Sequence, residues 1–205
     1  MAKVVLLHGL YMNGLVMWPL AKKLQQAGWQ TECISYNSMK IDPDALFAKL
    51  DASLDKTQPC YLIGHSLGGV MLTHYVHQTQ LHPDSKVVTL GSPLRSSRMA
   101  KQLSDWGLGL LLGNAAEHGL TDNAPQRWTS PVALGSLAGH NSFGMGTVVG
   151  ATDTHSDGTV QISETELEGM RDHLTLDVTH TSMLIADDVA SQCDAFLRHG
   201  RFHKG

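Results

Sequence analysis

A chain of 205 residues, 42% hydrophobic and 17% charged, is long enough to bury one sizeable core and reads as a single domain over residues 1–205. Its formal net charge of −4 gives no basic field for nucleic acid, and no apolar run approaches the roughly 20 residues that a transmembrane segment takes. Cys33, Cys60 and Cys193 stand in apolar segments without paired spacing, the usage of reduced core thiols. The first nine residues enter a strand at once and lack a signal-peptide cleavage pattern, so a cytoplasmic protein is expected.

In chain order, residues 4–7 form a short apolar strand that ends at His8-Gly9. Helical spacing follows over 15–27, through Trp18, Leu20, Ala21 and Leu24, and Gly28 closes it. Residues 29–36 read as the second strand. Asp42-Pro43, a cap and a first-turn proline, opens a helix through Leu46, Phe47, Leu50 and Leu54. Tyr61-Leu62-Ile63 is a third strand and residues 70–77 lie on the helix behind it; 86–90 is a fourth strand ending in Gly91-Ser92-Pro93. The rhythm then breaks over 94–130, a stretch with an apolar patch at 106–112 that leaves the carboxyl end of a strand and reads as a small cap or lid. Burial of that patch on the core is its commoner fate; facing a substrate acyl group is the other reading. Strands over 132–137 and 174–178, a glycine-rich loop over 139–158 and a last helix over 182–197 complete the chain. This alternation predicts an α/β fold: a mostly parallel sheet with helices on both faces.

The most informative stretch is Gly64-His65-Ser66-Leu67-Gly68-Gly69. It lies between a strand and a helix, the context a G-x-S-x-G match needs to count as a nucleophile elbow. Gly64 and Gly68 let the backbone through a strained turn. Ser66 then stands exposed, and the Leu67 amide, at a helix N-terminus, faces any developing oxyanion. The plain alternative is a glycine-rich turn with Ser66 as an N-cap.

A serine hydroxyl needs a base, and in open parallel sheets such groups gather at the carboxyl ends of strands. His180 directly follows the strand over 174–178 and precedes the last helix, which makes it the candidate base. His140 is the runner-up. His173 is expected before its strand, at the wrong end. His74 and His77 sit on the helix after the elbow, His203 is in the tail, and His8 and His65 read as loop-bracing and packing side chains. The candidate acids are Asp157 and Asp153; Asp157 has the better setting, with Gly158 for a sharp turn and Val160 to anchor the loop. Asp177 is expected within the strand before His180, in a structural role. His8-Gly9-Leu10 follows the first strand at the correct end, so the Leu10 amide is the second oxyanion donor. No H-E-x-x-H and no clustered Cys/His spacing appears, so neither a metal nor a cofactor is expected.

With these residues in place, the chain resembles the bacterial lipase and esterase branch of the α/β-hydrolase family. The resemblance rests on Leu7-His8-Gly9-Leu10, the elbow, Thr89-Leu90-Gly91-Ser92-Pro93, Ser156-Asp157-Gly158-Thr159-Val160 and Val178-Thr179-His180, and spans nearly the whole chain. The order Ser66, Asp157, His180 is that of the family. The resemblance implies a carboxylic-ester hydrolase with Ser66 as nucleophile, His180 as base and Asp157 as its orienting acid, acting on a small ester or lipid-like substrate. Leu94 departs from the histidine that many members carry after Gly-x-Pro, and the stretch to the acid loop is compact. Both count against long-chain triacylglycerol as substrate. The first strand already carries the oxyanion loop, so a minimal version of the fold is expected, without the early antiparallel strands of larger relatives. The same residues suit a thioesterase, amidase or acyltransferase, and a fold of this kind also serves non-catalytic binding proteins.

Overall fold

The computed structural model describes residues 2–95, 127–142 and 155–204. Six strands, β1 (Lys3–Leu7), β2 (Gln30–Ile34), β3 (Tyr61–His65), β4 (Lys86–Leu90), β5 (Ala133–Gly139) and β6 (Asp172–Leu176), form one sheet in the order β2-β1-β3-β4-β5-β6. Every neighbouring pair is parallel. A parallel sheet is covered on both faces, which is why β1 and β4 carry near-continuous apolar runs such as Val4-Val5-Leu6-Leu7. On one face Met17, just before α1 (Trp18–Gln26), Leu20 and Leu24 of α1, and Val189, Phe196 and Leu197 of α5 (Asp187–His199) pack over Val4, Leu6, Ile63, Val88 and Leu90. On the other, α2 (Pro43–Ser53) and α3 (Leu67–Gln78) pack Leu46, Leu50, Met71 and Tyr75 over Val5, Leu7, Leu62 and Val87. The α/β architecture expected from the alternation is therefore present, with all six strands parallel.

The helix boundaries follow local chemistry. Asp42 is the N-cap of α2, its carboxylate accepting from the Ala45 amide at 3.0 Å, with Pro43 at the first helical position. At the other end of the chain Gly200 terminates α5 with φ 69°, a left-handed C-cap. Glycine also allows close packing at Gly135 on β5: a Cβ there would stand 2.6 Å from the Phe196 ring, so Phe196 seats directly on the sheet.

Several expectations are corrected in detail. The helix over 15–27 begins as a 3-10 turn, Gly14–Met17, capped by the Asn13 side chain at the Leu15 amide, before α1 proper. The last helix is likewise split, into a 3-10 turn Ser182–Leu184 and α5, because Ala186 is extended between them. The final strand runs over Asp172–Leu176 rather than 174–178. Its partner β5 ends at Gly139 opposite Leu176, and beyond it the Val178 amide turns back to the Leu176 carbonyl at 2.9 Å. His173 thus lies inside β6, near its amino end, and Asp177 lies beyond the strand, where it accepts from the Asn141 side chain at 2.9 Å. A one-turn helix, α4 (Ile162–Thr165), closed by a Gln161–Glu164 capping box, occupies a segment to which no element was assigned.

Most of the expected lid lies outside the described residues: 96–126, including the apolar patch at 106–112, and also Asp153 in the loop over 143–154. The described ends of the 94–130 segment dock on the body of the protein. The Leu94 amide donates to the Glu164 carbonyl at 2.7 Å, and the buried Trp128 donates its indole N–H to Val132 at 2.7 Å. Among the described residues, no helix is long and apolar enough to cross a membrane.

Candidate active site

Ser66 stands between β3 and α3 with φ 52° and ψ −122°, a left-handed conformation that a non-glycine residue rarely adopts. The sharpness of the turn explains its glycines. A Cβ at Gly64 would lie 2.5 Å from the Gly69 backbone, and one at Gly68 2.5 Å from the His8 carbonyl oxygen. Both contacts are to backbone atoms, which have no room to yield. The Ser66 amide donates to the Leu90 carbonyl at 2.8 Å, fixing the turn to the end of β4. Ser66 occupies the N-cap position of α3 but its hydroxyl makes no capping hydrogen bond, which removes the plain reading of this residue as a helix cap. Ser66 is buried, at 3% exposure, rather than exposed as expected, and the backbone holds it in a conformation that costs energy.

The acid and base candidates meet. His180 Nδ1 donates to Asp157 Oδ2 at 2.7 Å, the two side chains being 12% and 1% exposed. Three further bonds hold the Asp157 loop: its Oδ1 accepts from the amides of Thr159 at 2.9 Å and Val160 at 2.8 Å, and its carbonyl accepts from the His180 amide at 2.9 Å. Gly158 at φ 93° makes the turn and Val160 is buried, as the sequence setting of Asp157 implied. With Nδ1 protonated toward the carboxylate, His180 Nε2 is left as the free basic nitrogen. Gly91, at φ 53°, brings β4's exit against this pair; a Cβ there would be 2.7 Å from Asp157 Oδ2 and 3.1 Å from His180 Nδ1. Among the described residues no hydrogen bond joins Ser66 Oγ to His180. Such bonds often form only in the loaded site.

Leu67 opens α3, where the first amides have no partner in the helix's own ladder, and Leu10 follows β1 on the loop that faces the elbow. That loop is firmly anchored. His8 Nδ1–H donates to the Gly9 carbonyl at 2.8 Å, and its Nε2 accepts from the Tyr36 amide at 3.2 Å. Tyr36 stacks on the His8 ring at 4.4 Å and donates its hydroxyl to the His8 carbonyl at 3.0 Å. This use of Tyr36 explains why β2 stops at Ile34 instead of continuing to residue 36. Gly9 itself abuts the elbow, since a Cβ on it would be 3.0 Å from the Ser66 Cβ. Tyr11, next to Leu10, is the other non-glycine residue with positive φ among the described residues, at 57°. Sequence alone gave no sign of it.

Of the remaining histidines, His140 lies 3.8 Å from Asp177, while the Asp157 carboxylate bonds to His180, which favours His180 over the runner-up base. His77 Nδ1–H donates to the Thr73 carbonyl of its own helix at 2.8 Å, and His173, near the amino end of β6, contacts Thr165 at 2.9 Å. His65 is fully buried, its Nε2–H donating to the His180 carbonyl at 2.8 Å, while Nδ1 has no partner. Burial pushes its imidazole down to about 3, helped by the nearby His180 ring, and burial pushes His74 down to about 4. His8 and His173 are shifted in the same direction by burial.

These shifts make the fold acid-sensitive. Below pH 6.5 the unfolded chain protonates His65 and His74 while the folded protein keeps them neutral. The stability is therefore complete above the unfolded value and is lost as pH falls toward the folded one. Each histidine contributes a slope of about 1.4 kcal/mol per pH unit in that window. Urea unfolding at pH 7.5 and pH 5 is expected to show a marked fall in midpoint, and His74→Leu is expected to remove about one proton from the slope. A midpoint unchanged between the two pH values would contradict the assignment.

No family profile matches the chain, and no curated protein matches it. Solved structures do. The crystal structure of the Bacillus licheniformis lipase BlEst2 in its propeptide form is similar over 89% of this chain, with a TM-score of 0.66 and 21% identity. This chain spans about half of that protein, 47% of its length. A pyrethroid hydrolase from Sphingobium faniae JZ-2 is similar at TM-score 0.62 and 14% identity over 97% of this chain and 98% of that one. The metagenomic carboxyl esterase MGS0156 is similar at TM-score 0.62 and 17% identity, over 96% of this chain and 73% of its own. With six parallel strands covered by helices on both faces and these likenesses, the chain has a minimal α/β-hydrolase fold.

Proposed function

We propose that this protein is a serine hydrolase that cleaves carboxylic esters, small-molecule or lipid-like, through an acyl-enzyme intermediate. The observation that carries the reading is the buried Asp157–His180 pair at 2.7 Å beside a strained serine whose hydroxyl does no structural work. In this reading Ser66 Oγ attacks the ester carbonyl as His180 Nε2 takes its proton. The carbonyl oxygen becomes an oxyanion received by the amides of Leu10 and Leu67, each worth a few kcal/mol in the transition state. His180 then delivers the proton to the departing alkoxide, and the C–O bond to the alcohol breaks. Water enters, loses a proton to His180, attacks the acyl carbon, and releases the carboxylic acid as the proton returns to Ser66. Asp157 holds the ring in the tautomer that leaves Nε2 bare and stabilises the imidazolium that forms.

The similar solved structures include a lipase, a pyrethroid hydrolase and a carboxyl esterase. Those names support an ester over a thioester or amide. The test is labelling with a fluorophosphonate probe followed by mass mapping, alongside turnover of p-nitrophenyl esters, thioesters and anilides. Labelling confined to Ser66 and fastest turnover of esters are expected. A folded protein that leaves Ser66 unlabelled and turns over none of these would overturn the reading; a thioester preference would move it to thioesterase.

A further inference from the structure

His65 touches three of the four segments that the proposed mechanism uses, all but the Asp157 loop. Its backbone precedes Ser66. Its Nε2–H donates to the His180 carbonyl at 2.8 Å, and the two rings lie 4.7 Å apart. Its Nδ1 edge faces the oxyanion loop, where a Cβ on Gly9 would stand 3.1 Å away. The ring is completely buried, yet Nδ1 has no hydrogen-bond partner. As packing alone this is a poor choice, since a leucine or phenylalanine would fill the space without a desolvated, unpaired nitrogen. What the imidazole supplies and an apolar side chain does not is the donor to the His180 carbonyl.

That carbonyl belongs to a short loop between β6 and the 3-10 turn Ser182–Leu184. On its other side the loop is held by the Asp157 carbonyl, which accepts from the His180 amide at 2.9 Å. The His180 peptide is thus gripped at the carbonyl from the nucleophile's strand and at the amide from the acid's loop. Resting on the function proposed above, we infer that His65 is a positioning residue that sets the height and orientation of the His180 ring relative to Ser66. His65 stays neutral throughout the working range, because burial holds its proton affinity so low. Its donor is therefore constant, and it takes no part in proton transfer.

The test compares His65→Leu and His65→Phe, which fill the site without a donor, with His65→Gln, whose amide N–H reaches about as far as Nε2–H. For the Leu and Phe variants kcat is expected to fall at least tenfold with KM within twofold, since small misplacements of a reacting group are costly. Their melting temperatures at pH 7.5 are expected to equal or exceed that of the wild type. The Gln variant is expected to recover most of kcat. A second readout needs no activity: exchange of the His180 amide with deuterium is expected to speed up at least tenfold in the Leu and Phe variants and not in Gln. Wild-type kcat and His180 amide exchange in a folded Leu or Phe variant would overturn the inference, as would a Gln variant as impaired as Leu. If neither apolar variant folds, a tenfold loss of kcat in Gln overturns it and wild-type values in Gln support it. Absence of any ester turnover in the wild type would instead overturn the proposed function, and amide exchange would then decide the role of His65.

Discussion

Ser66→Ala is expected to lower p-nitrophenyl ester turnover by roughly 10⁴- to 10⁶-fold while leaving the protein as stable as before, or slightly more so. In the proposed mechanism the rate loss follows from removing the protein atom that bonds to the acyl carbon; the residual rate over water would come from the oxyanion donors and binding alone. The stability forecast is the sharper part. Ser66 Oγ caps no helix, and the turn is held by the Ser66 amide on the Leu90 carbonyl at 2.8 Å, which alanine preserves. Alanine keeps the Cβ, so the cost of φ 52° is the same in both proteins. Removing a hydroxyl that has no structural bond then has little to cost. Parallel measurement of turnover and of the urea midpoint checks both halves. Wild-type turnover in the alanine variant would remove Ser66 as nucleophile. A large fall in midpoint with retained turnover would return it to the role of structural cap.

What was legible in the sequence was set by local chemistry. The elbow was readable because close backbone approach at Gly64 and Gly68 admits no side chain, and because Val70 onward repeats with helical spacing. Asp157 and His180 were readable because both follow strands at the carboxyl end of a parallel sheet, and the fold brings them to 2.7 Å across 23 residues of chain. The end of β6 was not readable. Thr175-Leu176-Asp177-Val178 alternates as a strand would, but the Val178 amide turns back to the Leu176 carbonyl at 2.9 Å, and the paired register with β5 stops at Gly139 opposite Leu176. Register between distant strands decides such a boundary, and no local pattern encodes it. The anchoring by Tyr36 of the loop after β1 was hidden for a similar reason. An aromatic residue at the end of an apolar run looks like more strand, whereas here its amide and hydroxyl both turn to His8. His65 was expected to point its ring toward packing, and it is fully buried; its hydrogen bond to the His180 carbonyl spans 115 positions and has no sequence signature.

Asp157→Asn is expected to reduce kcat by about 10⁴-fold near neutral pH with a small change in KM, and to leave the loop in place. The carboxylate has two separate duties. Oδ1 accepts from the Thr159 and Val160 amides, which an asparagine carbonyl oxygen continues to do. Oδ2 accepts from His180 Nδ1–H, and there the amide presents N–H donors instead. Two donors cannot face each other, so His180 moves its proton to Nε2 and makes Nδ1 the acceptor. The ring stays where it was, held at its backbone amide by the Asp157 carbonyl and at its carbonyl by His65. Its Nε2 then points an N–H at Ser66 and can no longer take the serine proton. Geometry survives and basicity at the needed atom is lost. Asp157→Ala separates the two duties, since it also abandons the Thr159 and Val160 amides in a buried loop. It is expected to lower the urea stability by about 1–3 kcal/mol, chiefly through the buried Val160 amide, a loss the asparagine variant avoids. If Asp157→Asn keeps wild-type kcat, the acid that orients His180 lies elsewhere, and Asp153 is then the residue to replace.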